Sequence, residues 1–350
     1  MNTFRARNIR FASTAVAMAT LLVSTSAFAA DVVNIYSYRQ PDLIAPLLKA
    51  FTDETGVATN VLFLDKGLEE RIAAEGINSP ADIILTVDIG RLTDAKEKGV
   101  TQPYTSPTLE KEIPAAYRDA ENHWHGVTLR ARSVYASKDR VAQDSISYEE
   151  LADPKWKGKI CTRSGQHAYN IGLFSQLYAH WGPEKTEEWL NGLKANLAKK
   201  PEGGDRDQAK SIAAGECDLA LGNTYYVGLM TTNEKEPEQK EWAKAIKVFL
   251  PHSDEIGTDV NVSGVALTKN APNKENAIKL IEFLASEKAQ KIYGDIVYEY
   301  PANPKYKPNE LIASFGELKA DKIPLSEAVK HRKAVSEILD KIAFDDGADG

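Results

Sequence analysis

Cysteine is scarce in this chain, with only Cys161 and Cys217 among 350 residues. Both lie in strand-like segments, Lys159–Thr162 and Glu216–Ala220. In an oxidising compartment an even pair reads as one disulfide, and the alternative is two buried thiols. Long apolar runs are missing after the first thirty residues, so nothing later in the chain reads as a membrane span. An excess of basic residues is also missing. The formal charge is −7, which argues against nucleic acid or an anionic membrane as partner. There is no internal repeat, acidic tail or low-complexity tract. A Walker loop, a dinucleotide fingerprint, a Gly-x-Ser-x-Gly elbow and paired catalytic carboxylates are all absent, and with them the common signatures of enzymes. Ser164 is the one possible nucleophile, and no such motif surrounds it.

The first residues have the form of a secretory leader. Arg5, Arg7 and Arg10 precede a short apolar stretch, Phe11–Val23, and Ala27-Phe28-Ala29 offers small residues for cleavage before Ala30. Residues 1–29 are therefore read as a signal peptide, without the Arg-Arg pair of twin-arginine export. Removing three arginines leaves the exported chain more acidic still.

Strands and helices alternate along the remainder. Val32–Tyr36, Val61–Leu64 and Ala81–Val87 read as strands. Apolar spacing at Leu43, Ile44, Leu47, Leu48 and Phe51, then over Leu68–Ala74 and Leu92–Lys98, predicts helices, closed near Gly56, Gly76 and Gly99. This β-α-β-α-β order implies a mainly parallel sheet with helices on both faces. A second unit begins near residue 130. Its expected strands are 159–162, 218–222, 246–250 and 262–267. Its expected helices are 168–180, 184–199 and 205–214. A long helix over 276–293 and one or two more over 325–341 follow. Two α/β units in one exported chain imply a two-lobed binding protein that closes on a ligand in the cleft between its lobes.

Three tyrosines stand where such a cleft opens. Tyr225 and Tyr226 follow the strand 218–222, and Tyr169 follows the strand 159–162 through a short loop. Ligands of open α/β sheets bind beyond the carboxyl ends of strands. Phenolate is a hard anionic oxygen ligand suited to a hard trivalent cation, although an isolated Tyr-Tyr pair ordinarily packs. His123-Trp124-His125, read as a strand with both rings on one face, has no zinc-type partners and reads as solvated histidine. His167 adjoins Tyr169. Asp205-Arg206-Asp207 reads as a local ion-pair cluster, and the Asn261-Val262-Ser263 sequon is discounted because it falls in a strand.

Several segments taken together give a more specific reading. They are Asn34-Ile35-Tyr36-Ser37-Tyr38-Arg39, Ser79-Pro80-Ala81-Asp82, Leu129-Arg130-Ala131-Arg132, Arg163-Ser164-Gly165, Pro201-Glu202-Gly203-Gly204-Asp205 and Gly222-Asn223-Thr224-Tyr225-Tyr226. In these the chain resembles the periplasmic ferric-ion-binding proteins of iron ABC transporters, the FbpA/FutA group. The resemblance implies an α/β, type II-like periplasmic binding fold, each lobe a mixed, mainly parallel sheet flanked by helices. It implies a first lobe of residues 30–128 with about 255–305, and a second of 129–254 with about 306–350. It places the metal ligands at Tyr169, Tyr225 and Tyr226, the cargo as Fe³⁺, and a synergistic anion, carbonate, near Arg130 and Arg132 on a segment crossing between lobes. Arg130 is the first choice for the anion and Arg39 the second rank. Between Arg130 and Arg132, one is expected to form an ion pair instead.

Many relatives carry a His-Tyr pair in the first loop. This chain has Gln40-Pro41 there, so the site resembles the three-tyrosine subgroup. The resemblance further implies a periplasmic monomer that docks on an inner-membrane ABC permease. The alternatives are a two-lobed binder of an organic cation, such as a polyamine or thiamine, and a binder of ferrous iron.

Overall fold

The computed structural model describes Met1 and residues 31–348. The signal-peptide reading of residues 1–29 lies outside the described residues. Among the described residues, nine strands form one curled sheet: β1 (Val32–Ser37), β2 (Ala58–Phe63), β3 (Ile83–Thr86), β4 (His125–Ser137), β5 (Ile160–Cys161), β6 (Leu219–Asn223), β7 (Ile246–Phe249), β8 (Val260–Leu267) and β9 (Tyr300–Pro301). Thirteen α-helices accompany them among the same described residues: α1 (Pro41–Thr55), α2 (Leu68–Glu75), α3 (Ile89–Glu97), α4 (Pro107–Glu112), α5 (Ala168–Ala195), α6 (Asp205–Ala213), α7 (Thr224–Thr231), α8 (Glu238–Ala245), α9 (Lys274–Leu284), α10 (Glu287–Val297), α11 (Glu310–Ala313), α12 (Leu325–Ala328) and α13 (Arg332–Lys341). None of the helices among the described residues is long and apolar enough to cross a membrane.

The strand order is β2-β1-β3-β8-β4-β6-β5, with β7 and β9 also pairing β4. The sheet is mixed as expected, but it is not mainly parallel: its parallel pairings lie only at the two ends. β1 runs parallel to β2 and β3, and β5 parallel to β6. The middle is antiparallel, because β4 and β8 run against each other and against their outer neighbours.

β4 makes the molecule two-lobed. Its first half pairs β8 and supplies Val127 to a core built from β1, α1, β3 and α9, with Ile35, Leu47, Phe51, Ile83 and Leu280 at its centre. Its second half pairs β6 and β7 and supplies Val134 and Ala136 to another core, with Phe174, Leu177, Trp189, Leu221, Val335 and Phe344. A single strand of alternating apolar residues thus belongs to both lobes.

Two helix readings change in detail. The expected helix over 276–293 is broken into α9 and α10, because the Ser286 hydroxyl accepts from the Ala289 N–H and starts a new helix. The helices expected at 168–180 and 184–199 meet at Gly182, whose φ of 75° ends the first run ahead of Pro183. His123 also departs from expectation: it precedes β4, and its ring contacts Thr101. His125 begins β4 and is buried, and burial with the nearby Arg118 depresses its pKa to about 4.

Cys161 and Cys217 are bridged, with Cα atoms 5.9 Å apart. The parallel pairing of β5 with β6 brings the two segments together.

Candidate metal and anion site

The tyrosines are positioned by two strand-to-helix transitions. β6 ends at Asn223, and α7 begins at once, so Tyr225 and Tyr226 fall in its first turn. Gly222 makes this approach possible. A side chain there would collide with the ring of Tyr135, 2.3 Å from the Cβ position. The Tyr135 hydroxyl instead donates to the Asn223 carbonyl and pins the strand end. Tyr169 is the second residue of α5, whose start is capped by His167; the Nδ1 of His167 accepts from the Tyr169 N–H at 3.2 Å. Burial and the nearby Arg163 push the His167 pKa down to about 4, so the ring is neutral and can accept.

The three side chains converge. The Tyr169 and Tyr225 hydroxyl oxygens lie 3.3 Å apart, and the Tyr225 and Tyr226 rings are 4.2 Å apart between centroids. They open onto a cleft of about 380 Å³ that is also lined by Tyr38, Arg39, Gln40, Val87 and Arg130. The pKa of Tyr225 is raised, first by burial and then by Tyr169 and Tyr226; Tyr226 is raised for the same leading reason. Without a cation, these two phenols keep their protons at neutral pH.

Positive charge surrounds Tyr169. The guanidinium carbons of Arg130, Arg132 and Arg163 lie 5.1, 6.0 and 5.1 Å from its ring centre. The three differ in what else they hold. Arg132 is engaged at both terminal nitrogens, with Nη1 donating to Asp205 at 2.7 Å and Asn223 at 3.1 Å and Nη2 to Asn170 at 2.6 Å, while its Nε has no partner. Arg163 shares Asp205 at 3.2 Å. Arg130 is 2% exposed, and its Nε and Nη2 have no partner. Burial opposes its charge most, but Tyr169, Tyr225, Glu299 and Asp88 together raise its pKa. A guanidinium with unused donors at a cleft wall is suited to a planar oxyanion. Arg39 donates to Glu299 at 2.5 Å and to Ser263, a buried pair that also receives the Thr128 hydroxyl. Arg132 and Arg39 are thus committed to buried carboxylates, and Arg130 alone of the three has no ion-pair partner.

Residues 78–315 match the profile described as bacterial extracellular solute-binding protein. The chain belongs to that family. It is 44% identical over 298 residues to Iron uptake protein A1 of Synechocystis, covering 84% of this chain and 82% of that one. It is 28% identical to the major ferric iron-binding protein of Neisseria meningitidis, over 82% and 85% of the two chains. Among solved structures, the Bordetella ferric binding protein aligns with a TM-score of 0.85 at 50% identity, covering 90% of this chain and all of that one. A Trichodesmium protein in complex with iron and citrate ligands gives 0.85 at 40% identity, over 89% and 99%.

Within this solute-binding protein, the first lobe presents few strong donors. Gln40 is exposed and Pro41 opens α1. The Tyr38 hydroxyl is committed to Glu69 and also accepts from the Leu68 N–H. Among the described residues, no group of three or more His, Cys, Asp or Glu side chains could hold a metal. Sequence reasoning missed Arg163 and Arg206, whose guanidinium carbon lies 5.5 Å from the Tyr226 ring centre. Their positions, just after β5 and at the start of α6, were the available signal. Asp205 also proves more than a local partner. It joins Arg132, Arg163 and the Asn223 N–H, and so ties α6 to the strand that delivers the tyrosines.

Proposed function

We propose that this chain captures ferric iron through Tyr169, Tyr225 and Tyr226, with a small synergistic anion, carbonate, held by Arg130, and passes it to an inner-membrane ABC permease. The observation that carries this reading is the convergence of three phenol groups beside a buried arginine with unused donors. Charge balance supports it. Three phenolates neutralise Fe³⁺, and carbonate adds two negative charges, which a buried site tolerates only with cations nearby. Arg130, Arg132 and Arg163 with one shared carboxylate, Asp205, supply that surplus.

The iron-related names of the relatives support the same cargo. The lobes of this reading are residues 30–128 with about 255–305 and residues 129–254 with about 306–350; the two cores that meet on β4 support the division. The protein acts in the periplasm as a monomer, after removal of its leader. It captures and does not catalyse. An organic cation would require acidic groups and free aromatic faces, and this cleft places guanidiniums over its tyrosine rings instead.

The test is metal stoichiometry after equilibration with ferric citrate and gel filtration. One iron per chain in the wild type and none in Tyr225→Phe supports the reading. Equal iron in both overturns it.

A further inference from the structure

The loop that delivers Tyr169 is held from one side by the C-terminal segment. The Gly165 N–H donates to Asp345 Oδ1 at 2.6 Å, and the Ser164 hydroxyl donates to Asp345 Oδ2. Gln166 Nε2 donates to the Ser336 carbonyl at 3.0 Å and to Asp340 at 2.8 Å, while its Oε1 accepts from the Ser336 hydroxyl. Packing adds to these bonds. A side chain at Gly165 would stand 2.7 Å from the Phe344 ring and 3.1 Å from Leu339.

The other end of the same segment reaches α3. Arg332, the first residue of α13, donates to Asp94 at 2.8 Å. The chain is shaped to receive it, since a Cβ at Gly90 would lie 2.4 Å from Arg332 Nη1. α13 carries the chain from Arg332 to Lys341, with Val335, Ile338 and Leu339 buried in the second core, and a short 3-10 turn, Phe344–Asp346, follows it and holds Asp345. α3 follows directly from β3, and Val87 between them lines the cleft.

We propose that the segment from Arg332 to Asp345 is a strut linking α3 to the loop that sets Tyr169, with Asp345 as the positioning residue at the metal end and the Arg332–Asp94 pair at the other. Movement of α3 as the lobes open is thereby transmitted to a metal-binding side chain. This role in iron release rests on the ferric reading above.

The experiment compares wild type, Asp94→Ala, Asp345→Ala and the double variant. Iron transfer to a competing chelator is followed through the visible phenolate-to-iron band. Asp345→Ala releases iron about tenfold faster, as loss of hydrogen bonds to a charged group implies, and shifts the band maximum. Asp94→Ala, outside the cleft, releases it about two- to fivefold faster, the scale of one partly exposed ion pair. The double variant matches Asp345→Ala alone, because both act through one path. Wild-type release from Asp94→Ala, or multiplied effects in the double variant, overturns the strut. Amide hydrogen exchange in the iron-free protein separates the strut from the ferric reading. Faster exchange over residues 164–170 in Asp94→Ala supports the strut whether or not a ferric band forms, and unchanged exchange there overturns it.

Discussion

The hydroxyl oxygens of Tyr169 and Tyr225 stand 3.3 Å apart, although the residues are 56 positions apart in the chain. Two phenolates at that distance repel strongly in a buried site, so ionisation of the cluster requires a cation between them. Burial and the neighbouring tyrosines hold the Tyr225 pKa above that of a free phenol, which is itself near 10.

Iron binding must therefore expel protons. Ferric affinity falls as pH drops, with log K changing by about one to three per pH unit for three phenols. Competition titrations from pH 8 to 5.5 test this. Affinity independent of pH across that range contradicts it.

Arg130 and Arg132 are expected to respond differently to substitution. Arg130→Gln removes a guanidinium without an ion-pair partner. It should weaken ferric binding by about 2–4 kcal/mol, abolish the dependence on added bicarbonate, and move the thermal midpoint little. Arg132→Gln leaves the buried Asp205 with Arg163 as its remaining ion-pair partner and should lower stability by about 2–3 kcal/mol. Differential scanning calorimetry with iron titrations at two bicarbonate levels distinguishes the pair. Equal behaviour of the two variants argues against the assignment of the anion to Arg130.

Asp259, just ahead of β8, is a buried carboxyl whose pKa is raised to about 7, chiefly by burial, with Asp321 adding to the rise and Arg132 and Arg130 opposing it. The folded state binds this proton more tightly than the unfolded state does. The group's contribution is therefore fully present below about pH 4 and is lost as pH rises through about 7. Asp259→Asn should gain stability over wild type at pH 8, by up to about 4 kcal/mol, and little at pH 4. Urea denaturation at the two pH values measures the difference. A gain confined to the lower pH contradicts the sign.

The Cys161–Cys217 bridge closes a loop across a sequence separation of 56. Chain entropy assigns such a bridge about 4 kcal/mol. Replacing both cysteines with serine should lower the iron-free protein's unfolding free energy by that order. A loss below about 1 kcal/mol would contradict this chain-entropy assignment.

Much of the first lobe was legible in the sequence because its signals are local. Leu47, Leu48 and Phe51 share a helical face, and Gly56 ends that helix. The long crossing strand was harder to read. β4 pairs β8 at Arg130↔Asn261 and β6 at Arg132↔Asn223, partners that lie 131 and 91 positions away. Arg130 and Arg132 alternate along one strand and look equivalent in sequence. Asp205, 73 residues downstream of Arg132, makes them different. The break at Ser286 was missed because apolar spacing continues across it, while a single hydroxyl restarts the helix. The tyrosines were legible from their place after strand ends. Arg163 and Arg206 carried only a positional signal, just after β5 and at the start of α6, which does not by itself separate them from surface arginines.

A visible absorption spectrum of residues 30–350, titrated with ferric citrate beside Tyr225→Phe, decides whether these tyrosines bind iron. An orange-to-red phenolate-to-iron charge-transfer band that saturates at one equivalent and is lost in the variant is expected. A wild-type protein with no band at any iron load would contradict it.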